Sequence, residues 1–123
     1  MSKLISPLSI AESLTETWSP RVIGEIDDNY IKVAKLLGSF VWHSHDGEDE
    51  MFLLLKGCLR IEMELETVTI NAGEMYVVPK GVRHNPVAEQ ECLVMLIERK
   101  STLHTGDVLA TKTRSIEDQL RPV

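Results

Sequence analysis

The chain has 123 residues, a length that suits one domain, residues 1–123, with a hydrophobic core of its own. Apolar residues make up 43% of it and charged residues 26%, as in ordinary globular proteins. The net charge of −6 argues against a nucleic-acid partner, which requires clustered Lys and Arg, and no apolar stretch approaches the roughly 20 residues that span a membrane.

The N-terminus and the cysteines indicate a cytoplasmic protein. The first ten residues contain no long apolar core of the kind found in secretory signals. Cys58 and Cys92 lie in apolar, strand-like stretches, so we expect both thiols to be reduced and buried.

A short helix is predicted over residues 9–17. Ser9 and Glu12 have the spacing of a capping box, in which each side chain bonds to the backbone N–H of the other residue. The helix should end before Ser19, because Pro20 disfavours helical conformation in the residue that precedes it.

The rest of the chain has the pattern of short strands. Apolar and charged residues alternate from 58 to 66, which predicts a strand with one buried and one solvent-exposed face. Apolar runs at 51–55, 75–78 and 92–97 predict further buried strands, separated by Gly, Pro and Asn turns. We therefore predict an all-β sandwich or small barrel over residues 28–100, with residues 101–123 as an extended tail.

Four side chains form the most informative pattern: His43, His45, Glu50 and His84. Residues two apart in a strand face the same way, so His43 and His45 should share a face. A turn predicted at 46–49 would return the chain and bring Glu50 beside them, while His84 follows a later tight turn. Three imidazoles and a carboxylate suit one divalent metal ion such as Fe, Mn, Ni or Zn.

Other residues near this pattern are assigned simpler roles. Glu48 and Asp49 are alternative carboxylate ligands, but they are more simply solvated loop acids. Phe52 and Leu54 share the face of the predicted carboxylate ligand and should form the floor of the pocket. His104 lies outside the pattern and is expected at the surface or in the tail, and no second acidic or basic residue is clearly aimed into the pocket.

The same residues resemble the two motifs of the cupin superfamily. The first motif is Gly, a short gap, His-x-His, three or four residues, Glu, six residues and Gly, and its counterparts here are Gly38, His43, His45, Glu50 and Gly57. The gap after Gly38 is one residue shorter than usual.

The second motif is Gly, five residues and Pro-x-Gly-x-x-His, followed by an Asn. Its counterparts are Gly73, Pro79, Gly81 and His84, with Ala88 in place of the Asn. The match covers residues 30–97 and resembles small single-domain bacterial cupins labelled mannose-6-phosphate isomerase-like. The resemblance implies a double-stranded β-helix (jelly-roll) barrel and a homodimer.

Two function classes follow for such a site. One is a small metalloenzyme acting on a small-molecule substrate by oxygenase-type or isomerase-type chemistry; the other is a non-catalytic module that binds a small ligand with an anchoring or structural metal. Isomerisation needs a general base near the metal, so the apparent lack of one counts against it. Polar residues in the pocket besides the ligands would favour catalysis, and a purely apolar lining would favour an oxygenase or a simple binder.

Overall fold

Seven strands and two short helices make up the regular structure of the residues that the computed structural model describes, 3–107 and 112–123. In chain order they are α1 (Pro7–Glu12), β1 (Arg21–Ile26), β2 (Asn29–Ser39), β3 (Glu50–Lys56), β4 (Cys58–Met63), β5 (Thr67–Asn71), β6 (Met75–Val78), β7 (His84–Arg99) and α2 (Ile116–Gln119). This is the predicted all-β fold with a short N-terminal helix. In this part of the chain no helix is long and apolar enough to cross a membrane.

Strand β7 holds the sheet together. All strand pairs are antiparallel, in the order β1-β2-β7-β3-β6, with β4 pairing to both β5 and β7. β7 pairs with β2 along most of its 16 residues, while its first part also pairs with β4 and its second part with β3. One long strand therefore belongs to both layers of the jelly roll.

The interior of the barrel is filled by every second residue of the strands. Ala34 and Leu36 of β2 are buried beside Val94 and Leu96 of β7. The same period brings Phe52, Leu54, Leu59, Ile61, Met63, Ile70 and Val78 into this cluster. The ring of Trp18 stacks on Phe40 at one end of it, with centroids 4.6 Å apart.

Helix α1 covers part of the outer face of the sheet, but its limits differ from the predicted 9–17. The N-cap is Ser6, whose side chain accepts from the backbone N–H of Ser9, and Pro7 occupies the first turn, where its missing N–H costs nothing. The hydroxyl of Ser13 donates to the carbonyl of Ile10 at the other end. Ser9 therefore lies inside the helix and the predicted capping box does not form.

The C-terminal segment folds back on the barrel. Thr105 and Gln119 are buried, and Arg21 of β1 donates to the carbonyl of Pro122 at 3.0 Å. The predicted tail thus contains a short helix, α2, that the sequence pattern did not indicate. Residues 108–111 of the tail lie outside the described residues.

Candidate metal centre

The structure brings together the four predicted ligands. One potential ligand atom from each of His43, His45, Glu50 and His84 lies within 4.8 Å of the others, and all four residues are buried. Among the described residues, this is the group of His, Cys, Asp and Glu side chains with a geometry that suits one metal ion.

Backbone pairing places the histidines, although not in a continuous strand as predicted. β2 ends at Ser39, and His43 then forms an isolated antiparallel bridge with His84. The N–H of each donates to the carbonyl of the other, at 3.0 and 2.8 Å. The carbonyl of His45 accepts from the N–H of Gly81 at 2.8 Å, so the turn before β7 fixes this loop.

Backbone carbonyls set the tautomers of two of these histidines. Nδ1 of His43 lies 2.8 Å from the carbonyl oxygen of Val41, and Nδ1 of His84 lies 2.9 Å from that of Val82. A carbonyl can only accept, so each Nδ1 carries the proton and each neutral ring presents an Nε2 lone pair. Hydrogen bonding of this kind orients metal-binding histidines in general.

These lone pairs face one another and a carboxylate. Within the described residues, Nε2 of His43 and Nε2 of His45 are buried without a hydrogen-bond partner. Glu50 Oε1 lies 3.3 Å from Nε2 of His84 and 3.5 Å from Nε2 of His45. Acceptor atoms this close repel one another unless a proton or a cation lies between them, and the donor set fits a first-row divalent cation.

The pKa shifts describe the same balance of burial and charge. Burial, assisted by His84, lowers the pKa of His43 to about 4, so that ring is neutral at pH 7. Burial by itself lowers the pKa of His45, but the Glu50 carboxylate outweighs it and the pKa is raised. Burial by itself raises the pKa of Glu50, but contacts with His45 and His84 hold it well below its usual range.

A cavity adjoins this cluster inside the barrel. Its wall is mostly apolar and is formed by Trp18, Pro20, Ala34, Leu36, Phe40, Phe52, Val94 and Leu96, with His43, Glu50, Glu98 and His104 as polar members. Phe52 lines the cavity as predicted, whereas Leu54 lies deeper in the core. A small, largely apolar molecule that enters here would lie beside the cluster.

A buried ion pair forms part of this side of the barrel. Nζ of Lys32 lies 2.6 Å from Oε1 of Glu98, and both side chains are about 1% exposed. Glu98 is directly opposite Glu50 in the pairing of β3 and β7. Burial and the neighbouring Glu50 carboxylate raise the pKa of Glu98 well above its usual range. The prediction that no second acidic or basic residue lies in the pocket is therefore wrong.

His104 also lies at this pocket, and not at the surface as expected. It is only 7% exposed, and its ring centroid is 5.6 Å from that of Phe40. Its Nε2 accepts from the backbone N–H of Arg114 at 2.6 Å. Burial, with a contribution from the charge of Lys32, lowers the pKa of His104 to about 4.

The remaining candidates lie away from the cluster. Asp49 is exposed, and its Oδ1 accepts from the N–H of Lys80 at 2.9 Å; Glu48 is half-buried in the same loop. Both cysteines are free, as expected, but Cys58 is exposed and only Cys92 is buried. The prediction that both thiols are buried is wrong for Cys58, which begins β4 next to a turn.

Comparison with known proteins identifies the family. The model of the cupin domain family matches residues 32–98. The chain belongs to this family. This cupin is 31% identical over 101 residues to the uncharacterized protein YdbB of Bacillus subtilis, a match that covers 81% of this chain and 89% of that protein.

Two solved structures are similar in both sequence and fold. A cupin-2 domain protein of Shewanella frigidimarina is 43% identical, with a TM-score of 0.77 over 79% of this chain and 95% of that one. A Neisseria meningitidis protein is 31% identical, with a TM-score of 0.73 over 80% of this chain and 100% of that one. The cupin resemblance of the two motifs is thus confirmed, while the likeness to mannose-6-phosphate isomerase stays a prediction.

Proposed function

We propose that this cupin is a small metalloenzyme that binds one divalent metal ion and acts on a small molecule in the adjoining cavity. The ligands would be His43, His45, Glu50 and His84. One observation carries the proposal: backbone carbonyls fix the Nε2 lone pairs of His43 and His84 toward a buried carboxylate, where only a cation or a proton can satisfy them all.

The polar groups of the cavity favour catalysis over simple binding. A bound metal would supply a Lewis-acid or redox centre, because four protein ligands leave one or two coordination positions open. The apolar wall would exclude water from this space. Glu98 is a group beyond the ligand set that could hold or accept a proton, and it removes the reason to disfavour isomerase-type chemistry.

Metal analysis tests the first half of the proposal. Wild-type protein, reconstituted in turn with Fe, Mn, Ni and Zn, should hold close to one ion per chain. His84→Ala should lose that ion, and His104→Gln, a change at a buried histidine outside the cluster, should keep it. Wild-type protein that binds no metal after reconstitution would overturn the assignment.

The identity of the metal then selects the reaction to assay. Iron or manganese leads to oxygen-uptake assays with small hydroxy-carbonyl compounds, and zinc or nickel leads to isomerisation assays by NMR. Turnover that disappears in His84→Ala would support an enzyme.

The alternative is a non-catalytic module that binds a small ligand next to the metal. The mostly apolar wall favours it, as does the pairing of Lys32 with Glu98, which leaves fewer free polar groups for chemistry. It differs from the first proposal in one outcome: a ligand that binds the metal-loaded protein would be recovered unchanged.

We also infer a homodimer formed through the outer face of the sheet. Two rows of apolar residues cross β2, β7, β3 and β6 in register, namely Ile31, Ile97, Met51 and Val77, and Val33, Met95, Leu53 and Met75. Helix α1 covers Val33, but Met75 is 55% and Val77 41% exposed on edge strand β6. A contiguous apolar face of this kind is typical of interaction surfaces. Light scattering on wild-type protein and Val77→Lys tests it, with a monomeric wild-type protein as the contrary result.

A further inference from the structure

His104 combines two features that are unusual for a histidine outside a ligand set. It is buried at the edge of a mostly apolar cavity, and one of its ring nitrogens already has a partner. Because the backbone N–H of Arg114 donates to Nε2, this nitrogen bears the lone pair. In the neutral ring, the proton must then be on Nδ1, so Nδ1 is a hydrogen-bond donor.

This tautomer excludes His104 as an additional metal ligand. Its Nε2 lone pair is taken by Arg114, and its Nδ1 carries a proton. Nδ1 has no hydrogen-bond partner in residues 3–107 and 112–123. A donor at the rim of a mostly apolar cavity, without a partner among these residues, is suited to an acceptor atom that a ligand brings with it.

Charge indicates what kind of acceptor this is. With a divalent metal bound, the charges of Lys32, Glu50 and Glu98 leave the site net positive, whether Glu98 is ionised or protonated. A buried excess of positive charge favours an anionic ligand. The free space of the cavity is about 40 Å³, enough for roughly three water-sized groups.

We propose that His104 is a ligand-positioning residue, whose Nδ1–H donates a hydrogen bond to the anionic oxygen of a small ligand with a compact apolar body. The proposal rests on the proposed function, because the ligand is held at the metal of that site. The ligand class is that of short carboxylates and small enolate-like anions, whose apolar part would contact the walls at Leu36, Phe40 and Phe52.

The C-terminal segment holds His104 in this position. Oδ1 of Asp107 accepts from the N–H of Ser44 at 3.0 Å, which ties the segment to the loop that carries the cluster histidines. The hydroxyl of buried Thr105 bonds with that of Thr113 at 2.8 Å. These contacts fix the donor relative to the cluster, which is what a positioning residue requires.

Two substitutions separate the ligand contact from the structural contact. The terminal atoms of Gln reach the position of Nε2, so His104→Gln keeps an acceptor for Arg114 and loses the donor at Nδ1. Those of Asn reach the position of Nδ1, so His104→Asn keeps that donor and loses the acceptor. Each variant is loaded with Co²⁺ and titrated with acetate, and binding is followed by the visible absorption of the cobalt.

His104→Gln should bind acetate about tenfold more weakly than wild type, at equal cobalt content and with an unchanged Tm. His104→Asn should bind acetate like wild type but with a lower Tm. Equal acetate affinity in wild type and His104→Gln would overturn the proposal. The proposal would also be overturned if acetate did not change the visible spectrum of the cobalt-loaded wild type. Failure of the wild type to take up cobalt would instead contradict the proposed function.

A measurement on wild-type protein gives the same answer without a variant. In the zinc-loaded, ¹⁵N-labelled protein, the Nδ1 proton of His104 should move downfield when acetate is added, because it enters a charge-assisted hydrogen bond. A signal that stays in place while acetate binds would overturn the proposal.

Discussion

The candidate metal cluster and a second group of side chains at the cavity both consist of buried ionisable residues, but different parts of the chain place them. His43, His45 and Glu50 belong to one loop and the strand that follows it, and His84 joins them through a backbone bridge. The second group, which we call the far wall, is Lys32, Glu98 and His104, and its Glu98 is paired with Glu50 across β3 and β7. Its residues come from β2, from the end of β7 and from the C-terminal segment.

The two groups also differ in how their polar atoms are satisfied. Nε2 of both His43 and His45 lacks a partner within the described residues, so the cluster depends on a proton or a cation. In the far wall, Lys32 pairs with Glu98, and His104 accepts from the backbone. The cluster is therefore incomplete without a proton or a cation. In the far wall an ion pair and a backbone hydrogen bond hold the side chains in place, although Oε2 of Glu98 lacks a partner within the described residues.

The largest predicted effect on stability concerns the ion pair of the far wall. Lys32→Met leaves the buried Glu98 carboxyl without its cation, next to Glu50, and should lower the free energy of unfolding by about 3 kcal/mol. The double variant Lys32→Met, Glu98→Met should recover most of that loss, because two apolar side chains then replace the pair. Urea denaturation of the metal-free proteins measures both.

The matched control is Lys56→Met. Lys56 is 66% exposed and lies 3.7 Å from Glu12, so the same substitution should change stability by less than about 1 kcal/mol. If Lys32→Met lowered the free energy of unfolding no more than this surface change, the contact between Lys32 and Glu98 would not be needed to stabilise the buried carboxyl.

The sequence predicted the fold and the cluster because both are local patterns. Alternation with period two marks strands wherever one face is buried, and the ligand residues lie at fixed distances from turns. Lys32 and Glu98 carry the same signal: each continues an inward-facing series, Lys32 with Ala34 and Leu36, and Glu98 with Val94 and Leu96. Extending the alternation by one step at the ends of β2 and β7 would have found them.

His104 could not be placed in this way. No period extends into its segment, and its position depends on tertiary contacts such as that between Asp107 and the backbone of Ser44. The limits of α1 were missed for a related reason. Two serines three residues apart, Ser6 and Ser9, both precede apolar positions, and only Pro7 in the first turn distinguishes the true N-cap.

Acid should reveal the next effect, which belongs to His104. Its pKa in the folded protein is about 4, against an ordinary value of 6.5. Between these values the unfolded chain binds a proton that the folded chain does not, so stability is full above pH 6.5 and falls as the pH drops toward 4. The share of this group is about 3 kcal/mol.

His104→Gln removes this titration while it keeps an acceptor for Arg114. The stability of the variant should therefore fall less steeply than that of wild type between pH 6.5 and 4, and the difference between the two curves isolates His104 from the cluster histidines. Urea denaturation of metal-free protein at several pH values gives both curves. Parallel curves would mean that His104 takes up its proton equally in the folded and the unfolded protein, so that burial does not lower its pKa.

The smallest of the three effects concerns Gly106, where the C-terminal segment contacts the cluster loop. Gly106 has φ +61°, and a Cβ added there would lie 2.2 Å from the carbonyl oxygen of Ser44 and 2.9 Å from Cδ2 of His43. Gly106→Ala should therefore displace the segment and cost about 2 kcal/mol, from the left-handed backbone together with the clash. Gly47→Ala is the control in the same loop region, because a Cβ there meets nothing within 4 Å in the described residues.

The effect of Gly106→Ala on function should fall on the far wall and not on the cluster. If the displaced segment carries His104 away while the bridge between His43 and His84 holds the cluster, the variant should keep its metal, bind acetate more weakly and expose the C-terminal segment to protease. Loss of metal together with loss of acetate binding would show that the two groups are coupled through the loop at Ser44. In that case the far wall would be a support for the cluster and not a separate part of the site.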